Sequence, residues 1–195
     1  MRRRAWLTTA VLGLAGCGSG EEWPLPGGSG ALVHRPAQHL ALVLADLPSG
    51  FDVGEELVSV TPTGRRELPD AFGRLSAYAV IFRAPGNRGQ TGDVVSSVNA
   101  YVGLREAGAA FASWQEAVPG NYRRLPAPPP GAPPGAAVYM QAPEGACLLG
   151  FRSHNVVASI RVGPLPGTLE DRGAEEQAVR LAALVLHRIG AVAGH

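Results

Sequence analysis

Two apolar patterns of helical spacing, with strand patterns before each of them, constrain the fold of this chain more than any other feature. The first helical face is formed by Leu104, Ala107, Phe111, Trp114 and Val118. The second runs over residues 178–189. Between them, residues 125–135 read LPAPPPGAPPG, which excludes a helix and a central strand because proline lacks a backbone donor. We expect this stretch to be polyproline II and the two helices to cover a sheet.

Stretches that alternate or are rich in β-branched residues predict the strands. They are 51–61, 77–83, 94–102, 138–141, 147–152 and 156–162. The last two are joined by Ser153, His154 and Asn155, a tight turn in which asparagine tolerates a positive φ. Short links between consecutive strands favour antiparallel pairing. The sequence therefore predicts an α+β fold, a mainly antiparallel sheet of five to six strands covered by two long amphipathic helices.

Several shorter elements complete this prediction. Leu40, Val43, Leu44 and Leu47 fall on one face of a short helix. A second short helix is expected over 68–74, and residues 168–171 form a capping box that opens the last helix. We assign residues 31–190 to one α+β domain and expect 191–195 to fray.

The first residues have the composition of an export signal. Three arginines at positions 2–4 precede an apolar stretch, 5–15, which is shorter than the roughly 20 residues of a membrane span. The stretch ends in Leu14, Ala15, Gly16 and Cys17. An ordinary secretory signal with an incidental cysteine is the alternative, and the arginines leave twin-arginine export open beside the general route.

The run Leu14-Ala15-Gly16-Cys17 resembles the lipobox of bacterial lipoproteins. The resemblance implies a signal peptide over 1–16, cleavage between Gly16 and Cys17, and acylation of Cys17. Residues 17–30 are then the lipidated cysteine and a flexible tether rich in glycine, serine and proline. The expected location is outside the cytoplasm, on the cell membrane or the outer membrane, with the membrane as a partner through the lipid.

The lipid assignment leaves Cys147 as the second of two cysteines, without a partner for an internal disulfide. Cys147 lies in an apolar run, which favours a small buried hydrophobe over a reactive thiol. Stability must then come from the core.

Composition excludes several classes of function. All 17 basic residues are arginine, so the chain has no lysine for a P-loop, a Schiff base or a Ser-Lys dyad. The net charge of +1 gives no reason to expect a nucleic-acid partner. We expect neither a cofactor nor a metal, and no motif of a hydrolase, a zinc protease or a calcium loop is present.

The site candidates are accordingly few. The loop 86–92 is a weak ligand candidate, because Asn87, Arg88 and Gln90 can form an anion nest, although a plain hairpin connection is the alternative. His34 and His39 are five residues apart, a spacing that does not suit a metal pair on a helix. Nothing in their spacing selects Ser97, Ser159 and Asp93 as a triad.

Four stretches also resemble a group of uncharacterised bacterial lipoproteins: 47–51 (LPSGF), 77–83, 151–158 (FRSHNVVA) and 178–189. More distantly, the order of elements resembles the PsbP-like sandwich, whose members include a photosystem accessory subunit and mycobacterial envelope lipoproteins. These resemblances imply a non-catalytic binding or accessory module in the envelope, for a partner protein or a small apolar ligand. A hydrolase or other enzyme with an unrecognised site, and a purely structural envelope protein, are the alternatives.

Overall fold

In the computed structural model, residues 32–60, 72–84, 93–141, 145–163 and 173–193 are described. The strands are β1 (Asp52–Val60), β2 (Arg74–Arg83), β3 (Val94–Tyr101), β4 (Tyr122–Arg124), β5 (Ala137–Gln141), β6 (Cys147–Ser153) and β7 (Val156–Val162). The helices are α1 (Leu104–Glu116) and α2 (Ala174–Ala193). All strand pairs are antiparallel, in the order β1-β2-β3-β7-β6-β5-β4.

Alternation along the central strands divides the sheet into two faces. Val98 of β3 and Ile160 of β7 point to the face covered by α2, where Leu181 and Val185 are buried. Tyr101 and Val157 point to the other face and pack with the alanines of α1. The fold is therefore a helix, a sheet and a second helix in three layers.

The predicted α+β class, the antiparallel sheet and the two long helices are confirmed, but the strand count of five to six is wrong. The described residues form seven strands, because residues 122–124 make the edge strand β4 against β5. Three residues, two of them arginine, are too short for an apolar alternation to show.

The proline-rich stretch also differs from its prediction. Two hydrogen-bonded turns interrupt it, Ala132 N donating to Pro129 O and Ala136 N to Pro133 O. Gly131 has φ +82° and Gly135 φ +70°, values that close turns and are incompatible with continuous polyproline II. The stretch folds back and leads straight into β5.

The helix predicted over 40–47 is not formed. Two 3-10 turns, Ala37–His39 and Leu44–Asp46, replace it. The reason is that Leu40, Ala41 and Leu42 are all buried, and a surface helix does not bury three consecutive residues. At the other end, α2 continues through Gly190 to Ala193 rather than fraying at 191, and of the predicted 68–74 helix only 72–74 are described, with Arg74 in β2. The capping box 168–171 lies outside the described residues.

Buried polar side chains hold this N-terminal segment, residues 32–47, on the sheet. Ser76 Oγ of β2 accepts a hydrogen bond from Ala37 N at 3.1 Å, and Ser96 Oγ of β3 accepts one from Leu42 N at 3.4 Å. The segment has little regular structure, and these hydroxyls replace the partners that a helix would supply.

Asn155 makes the third such connection, from the turn between β6 and β7. Its Oδ1 accepts from Val33 N at 2.7 Å, and its Nδ2 donates to Val33 O at 3.1 Å and to Tyr101 O. The positive φ predicted for this asparagine belongs instead to His154, at 53°. Asn155 therefore joins three parts of the chain while its own backbone stays in an ordinary conformation.

An ion pair fixes the far end of the segment to α2. Arg188 donates to both carboxylate oxygens of Asp46 at 2.7 and 2.8 Å, and also to Ala41 O at 2.8 Å. Burial raises the pKa of Asp46, but the hydrogen bonds from Arg188 and Val43 N and the nearby positive charge outweigh it, so the net pKa lies below the usual 3.8.

We expect Arg188→Gln to lower the free energy of unfolding by about 2 kcal/mol near neutral pH, because charge-assisted hydrogen bonds are lost. The pKa of Asp46 is lower in the folded state than in the unfolded state. The ionised carboxylate therefore stabilises the folded state at pH values above the unfolded-state pKa, and this contribution is lost as the pH falls through the folded-state pKa. Urea unfolding at about pH 7 and about pH 3 should therefore show a smaller acid-induced loss in the variant. Arg180→Gln is the control, because it also removes a nearby guanidinium, but one that bonds only the Asp46 carbonyl at 3.4 Å and the Gln177 side chain at 3.2 Å and has the smallest influence on the pKa of Asp46. Equal pH dependence in both variants would contradict the assignment.

None of the helices in the described ranges is long and apolar enough to cross a membrane.

Candidate binding surface

Helix α1 covers only part of its face of the sheet. It packs on β3, β7 and β6, and beyond it no helix among the described residues lies on that face. The surface left beyond α1, which we call the open face, consists of Leu57, Ala79, Ile81, Val95, Ser97, Asn99, Ser159 and Arg161. Leu57 is 41% exposed and the others are half-buried.

A row of polar side chains crosses the open face. Arg74 Nη1 donates to Asn99 Oδ1 at 3.3 Å, and Asn99 Nδ2 donates to Ser97 Oγ at 3.4 Å. Ser97 of β3 stands directly opposite Ser159 of β7. Because directly paired residues have Cβ atoms about 5 Å apart, the two hydroxyls continue the row across the strand pair.

A second arginine lies beyond Ser159 on the same strand. Arg161 Nε donates to Tyr122 Oη of β4 at 3.0 Å, a bond that reaches over β6 and β5. A guanidinium has five N–H donors in a fixed plane, and this hydrogen bond uses one of them while setting the plane's orientation. The open face thus presents hydroxyl, amide and guanidinium groups at fixed positions beside apolar Ile81 and Val95.

Aromatic residues form the border of the open face on the α1 side. The Phe111 and Trp114 rings are stacked with centroids 5.7 Å apart, and Trp114 meets Tyr139 edge-on at 5.9 Å. The Trp114 ring lies directly on the backbone at Gly150, where a Cβ would overlap it. Glycine is thus required for this close approach, and Trp114, half-buried, seats the helix on β6.

The two serines of the open face have hydrogen-bonding neighbours other than a general base in the part of the chain that the structure describes. Ser97 accepts a hydrogen bond from an amide, and among the described residues no histidine or carboxylate hydrogen-bonds Ser97 or Ser159. A serine hydroxyl is a weak nucleophile unless a base removes its proton. Asp93 lies at the end of the sheet, before β3, and is not brought to the serines. The hydroxyl, amide and guanidinium groups of the open face can instead form hydrogen bonds with polar groups of a binding partner.

The site residues predicted from sequence are located as follows. Gly16, Cys17, Asn87, Arg88 and Gln90 lie outside the described residues. His34 and His39 are both exposed, and in the described ranges no group of three or more His, Cys, Asp or Glu could hold a metal ion.

Cys147 is fully buried in β6. Burial, together with the nearby Glu175 carboxylate, raises the pKa of its thiol to about 12. The thiol is therefore protonated at any physiological pH, in agreement with the interpretation of Cys147 as a buried hydrophobe.

Two surface depressions lie elsewhere on the domain, and neither is lined by a residue of the open face. One of about 280 Å³ lies beside the proline-rich stretch and is lined by Arg124, Leu125, Pro126, Pro128 and 136–138. The other, of about 410 Å³, is lined by Leu32, His34, Arg35 and Val192. Both are open to solvent, unlike the enclosed apolar pockets that bury a small ligand.

Sequence reasoning missed the open face. It considered Ser97 and Ser159 only as triad members, found nothing in their spacing that selects them, and passed over Asn99 and Arg161. The available signal was the polar side of β3 and β7: Ser97 and Asn99 lie next to each other on one side of β3, and Ser159 and Arg161 on the same side of β7. Nothing in the sequence indicated that Tyr122 would reach Arg161, since β4 itself was not predicted.

Sequence comparisons find no family model and no curated protein that match this chain. The structure is similar to the crystal structure of the extracellular domain of PknH from Mycobacterium tuberculosis. The TM-score is 0.53 at 17% sequence identity, and the match covers 81% of this chain and 99% of that domain. At this level of identity the likeness shows that the two domains share their fold.

Proposed function

We propose that this chain is an exported, lipid-anchored envelope protein whose domain binds a partner protein through the open face and catalyses no reaction. The observation that carries the proposal is the polar row from Arg74 to Ser159, continued by Arg161 and Tyr122. These groups are positioned by strands and by mutual hydrogen bonds, as a binding surface requires. No acid–base partner for either serine lies among the described residues.

Export and anchoring rest on the leader and on the fold comparison. The lipobox-like run at 14–17 supports signal cleavage before Cys17 and acylation of that cysteine. Two or three acyl chains hold a protein on a bilayer, since each buried methylene contributes about 0.8 kcal/mol. That the fold recurs in the extracellular domain of another protein supports a place outside the cytoplasm, and an accessory role of the PsbP-like kind is part of the same proposal.

The shape of the site favours a protein over a small apolar ligand. Among the described residues, none forms an enclosing wall for the open face on the β1 side, where Leu57 is exposed. Protein interfaces combine apolar contact area with hydrogen bonds from arginine and tyrosine, the composition found here. A small apolar ligand needs a concave apolar pocket, and both depressions lie elsewhere.

Site-directed photo-crosslinking in intact envelopes tests this proposal. A photoreactive residue at Ser97 is expected to give one adduct of defined mass, while the same residue at Ala183, exposed on α2, gives none. Arg161→Gln should reduce the Ser97 adduct several-fold, because the interface loses a guanidinium.

Adducts of the same pattern from Ser97 and Ala183, or no adduct from Ser97, would refute binding at the open face. Covalent labelling of Ser97 or Ser159 by a fluorophosphonate would refute the absence of catalysis. Intact mass of the wild-type protein tests the lipid separately: an uncleaved chain without acyl groups would refute acylation at Cys17, and Cys17→Ser is the matched unlipidated reference.

A further inference from the structure

Four chain segments meet at the end of the sheet where the N-terminal segment begins. Asn155 binds Val33 and Tyr101, and Val102 N donates to Gly73 O at 3.1 Å. Arg152 Nη1 donates to Leu104 O at 3.2 Å. We name this surface the Val33 end; it comprises residues 32–35, 73–75, 102–106 and 152–155, with Val192 of α2 beside Leu32.

The Val33 end is positively charged. Its described residues include four arginines and a single carboxylate, Glu106, so the net charge is +3 without the histidines. Glu106 lies 3.5 Å from Arg105, whose side chain is 94% exposed. The arginines are Arg35, Arg74, Arg105 and Arg152. Two apolar side chains stand among them, Val102 at 48% and Leu75 at 40% exposure.

The opposite end of the sheet has the opposite charge. Its described residues include the carboxylates of Asp52, Asp93, Glu175 and Glu176 and the guanidinium groups of Arg83, Arg123 and Arg124, which leaves a net negative charge. The eight residues of β3 connect the two ends, a distance of about 25 Å at 3.3 Å per residue. Positive and negative charge are therefore separated along the strands, although the whole chain carries only +1.

The position of the lipid-bearing cysteine relates the Val33 end to the membrane. Leu32 belongs to this end, and Cys17 lies fifteen residues before it in the chain. A segment of that length spans at most about 50 Å when extended and about 20 Å on average as a flexible coil. An acylated Cys17 thus holds the Val33 end near the bilayer surface at a high effective concentration.

From these observations we propose that the Val33 end docks on an anionic phospholipid surface, with its arginines at the lipid phosphates and Val102 and Leu75 at the headgroup level. The proposal rests on the proposed function only for the acyl anchor. In the docked orientation the strands run away from the bilayer. The opposite end of the sheet, which contains Asp93, is then farthest from the lipid, and the open face lies at the side of the domain. The attraction is weak without the anchor: each arginine near an anionic surface contributes about a fivefold change in binding, and salt screens it within a Debye length.

Fluorescence quenching by spin-labelled headgroups tests this orientation on the full chain. An environment-insensitive dye is attached at Val102→Cys or, as the matched position at the far end of the sheet, at Val53→Cys, which is 45% exposed. Cys147 stays unlabelled because it is buried, and Cys17 is blocked by its lipid. With vesicles containing phosphatidylglycerol, we expect strong quenching at position 102 and little at 53, and with phosphatidylcholine alone we expect the difference to shrink several-fold.

Two double charge reversals complete the design. Arg35→Glu with Arg105→Glu should reduce quenching at position 102 at least several-fold, while Arg123→Glu with Arg124→Glu, of identical net charge, should not. Equal quenching at both positions, equal effects of the two double variants, or no dependence on phosphatidylglycerol would each overturn the proposal. Intact mass of the same samples reports acylation at Cys17, so a missing anchor is seen separately. In that case the measurement is repeated in a Cys17→Ser background, where only the introduced cysteine takes the dye, and quenching reports docking of the unanchored chain on the same vesicles.

Discussion

Asn155→Ala is expected to lower the free energy of unfolding by about 4 kcal/mol. The change removes three hydrogen bonds in a buried place, those that the Asn155 side chain makes to the N–H and the carbonyl of Val33 and to the carbonyl of Tyr101. Each unsatisfied buried backbone group costs about 1–3 kcal/mol. Urea unfolding followed by far-UV circular dichroism measures the loss, and hydrogen exchange at the Val33 amide, whose acceptor is removed, should accelerate.

Asn99→Ala is the matched control, because Asn99 is half-buried on the open face and its two bonds are to side chains. We expect a loss of about 1 kcal/mol or less there. Asn155→Asp keeps the shape of the side chain but replaces the donor Nδ2 with a carboxylate oxygen, which repels the carbonyl oxygens of Val33 and Tyr101 when it is ionised. This variant should therefore be less stable at neutral pH than at acid pH. If Asn155→Ala and Asn99→Ala cost the same, the side chain of Asn155 does not hold the N-terminal segment.

Gly150→Ala is expected to cost about 3 kcal/mol, at the upper end of overpacking effects, because the added methyl overlaps the Trp114 ring. The near-UV circular dichroism of tryptophan should change as α1 shifts on the sheet. Gly120→Ala, where a Cβ meets nothing within 4 Å, is the control and should leave stability nearly unchanged.

A double-mutant cycle separates this overlap from other effects. In a Trp114→Leu background, Gly150→Ala should cost much less than in the wild type, so the two substitutions are strongly non-additive. Additive costs would mean that the ring does not rest on Gly150.

Residues whose burial follows a simple period could be predicted from the sequence. Val94, Ser96 and Val98 alternate with residues of the other face as expected, and Leu181 and Val185 lie on the buried side of α2. The N-terminal segment could not be predicted, since its Leu40 and Val43 mimic a helical period while its conformation is set by hydroxyls of distant strands. Local periodicity carries no information about such partners.

The candidate site could be predicted still less. A polar residue on a strand, such as Asn99, has the same sequence signature whether it faces solvent or a binding surface. The open face exists because α1 crosses the sheet over Gly150 and Val157 and stops short of β1 and β2, and this placement depends on the tertiary fit of Trp114. The role of Asn155 was equally hidden, because a turn asparagine and a buried connector look alike in sequence.

The pairing of β3 with β7 also has a kinetic consequence. Every other neighbouring pair in the sheet joins strands that follow one another in the chain, whereas Val94 pairs with Val162, 68 residues later. Strands β1–β3 form one antiparallel meander and β4–β7 form another, and each can assemble from local hairpins. The conformational entropy of closing one long loop is lost only when the two meanders pair with each other. We expect the pairing of β3 with β7 to be the rate-limiting step of folding. The hydrogen bonds of Asn155 to Val33 and Tyr101 should form in the same step, because they connect residues of both meanders with the N-terminal segment.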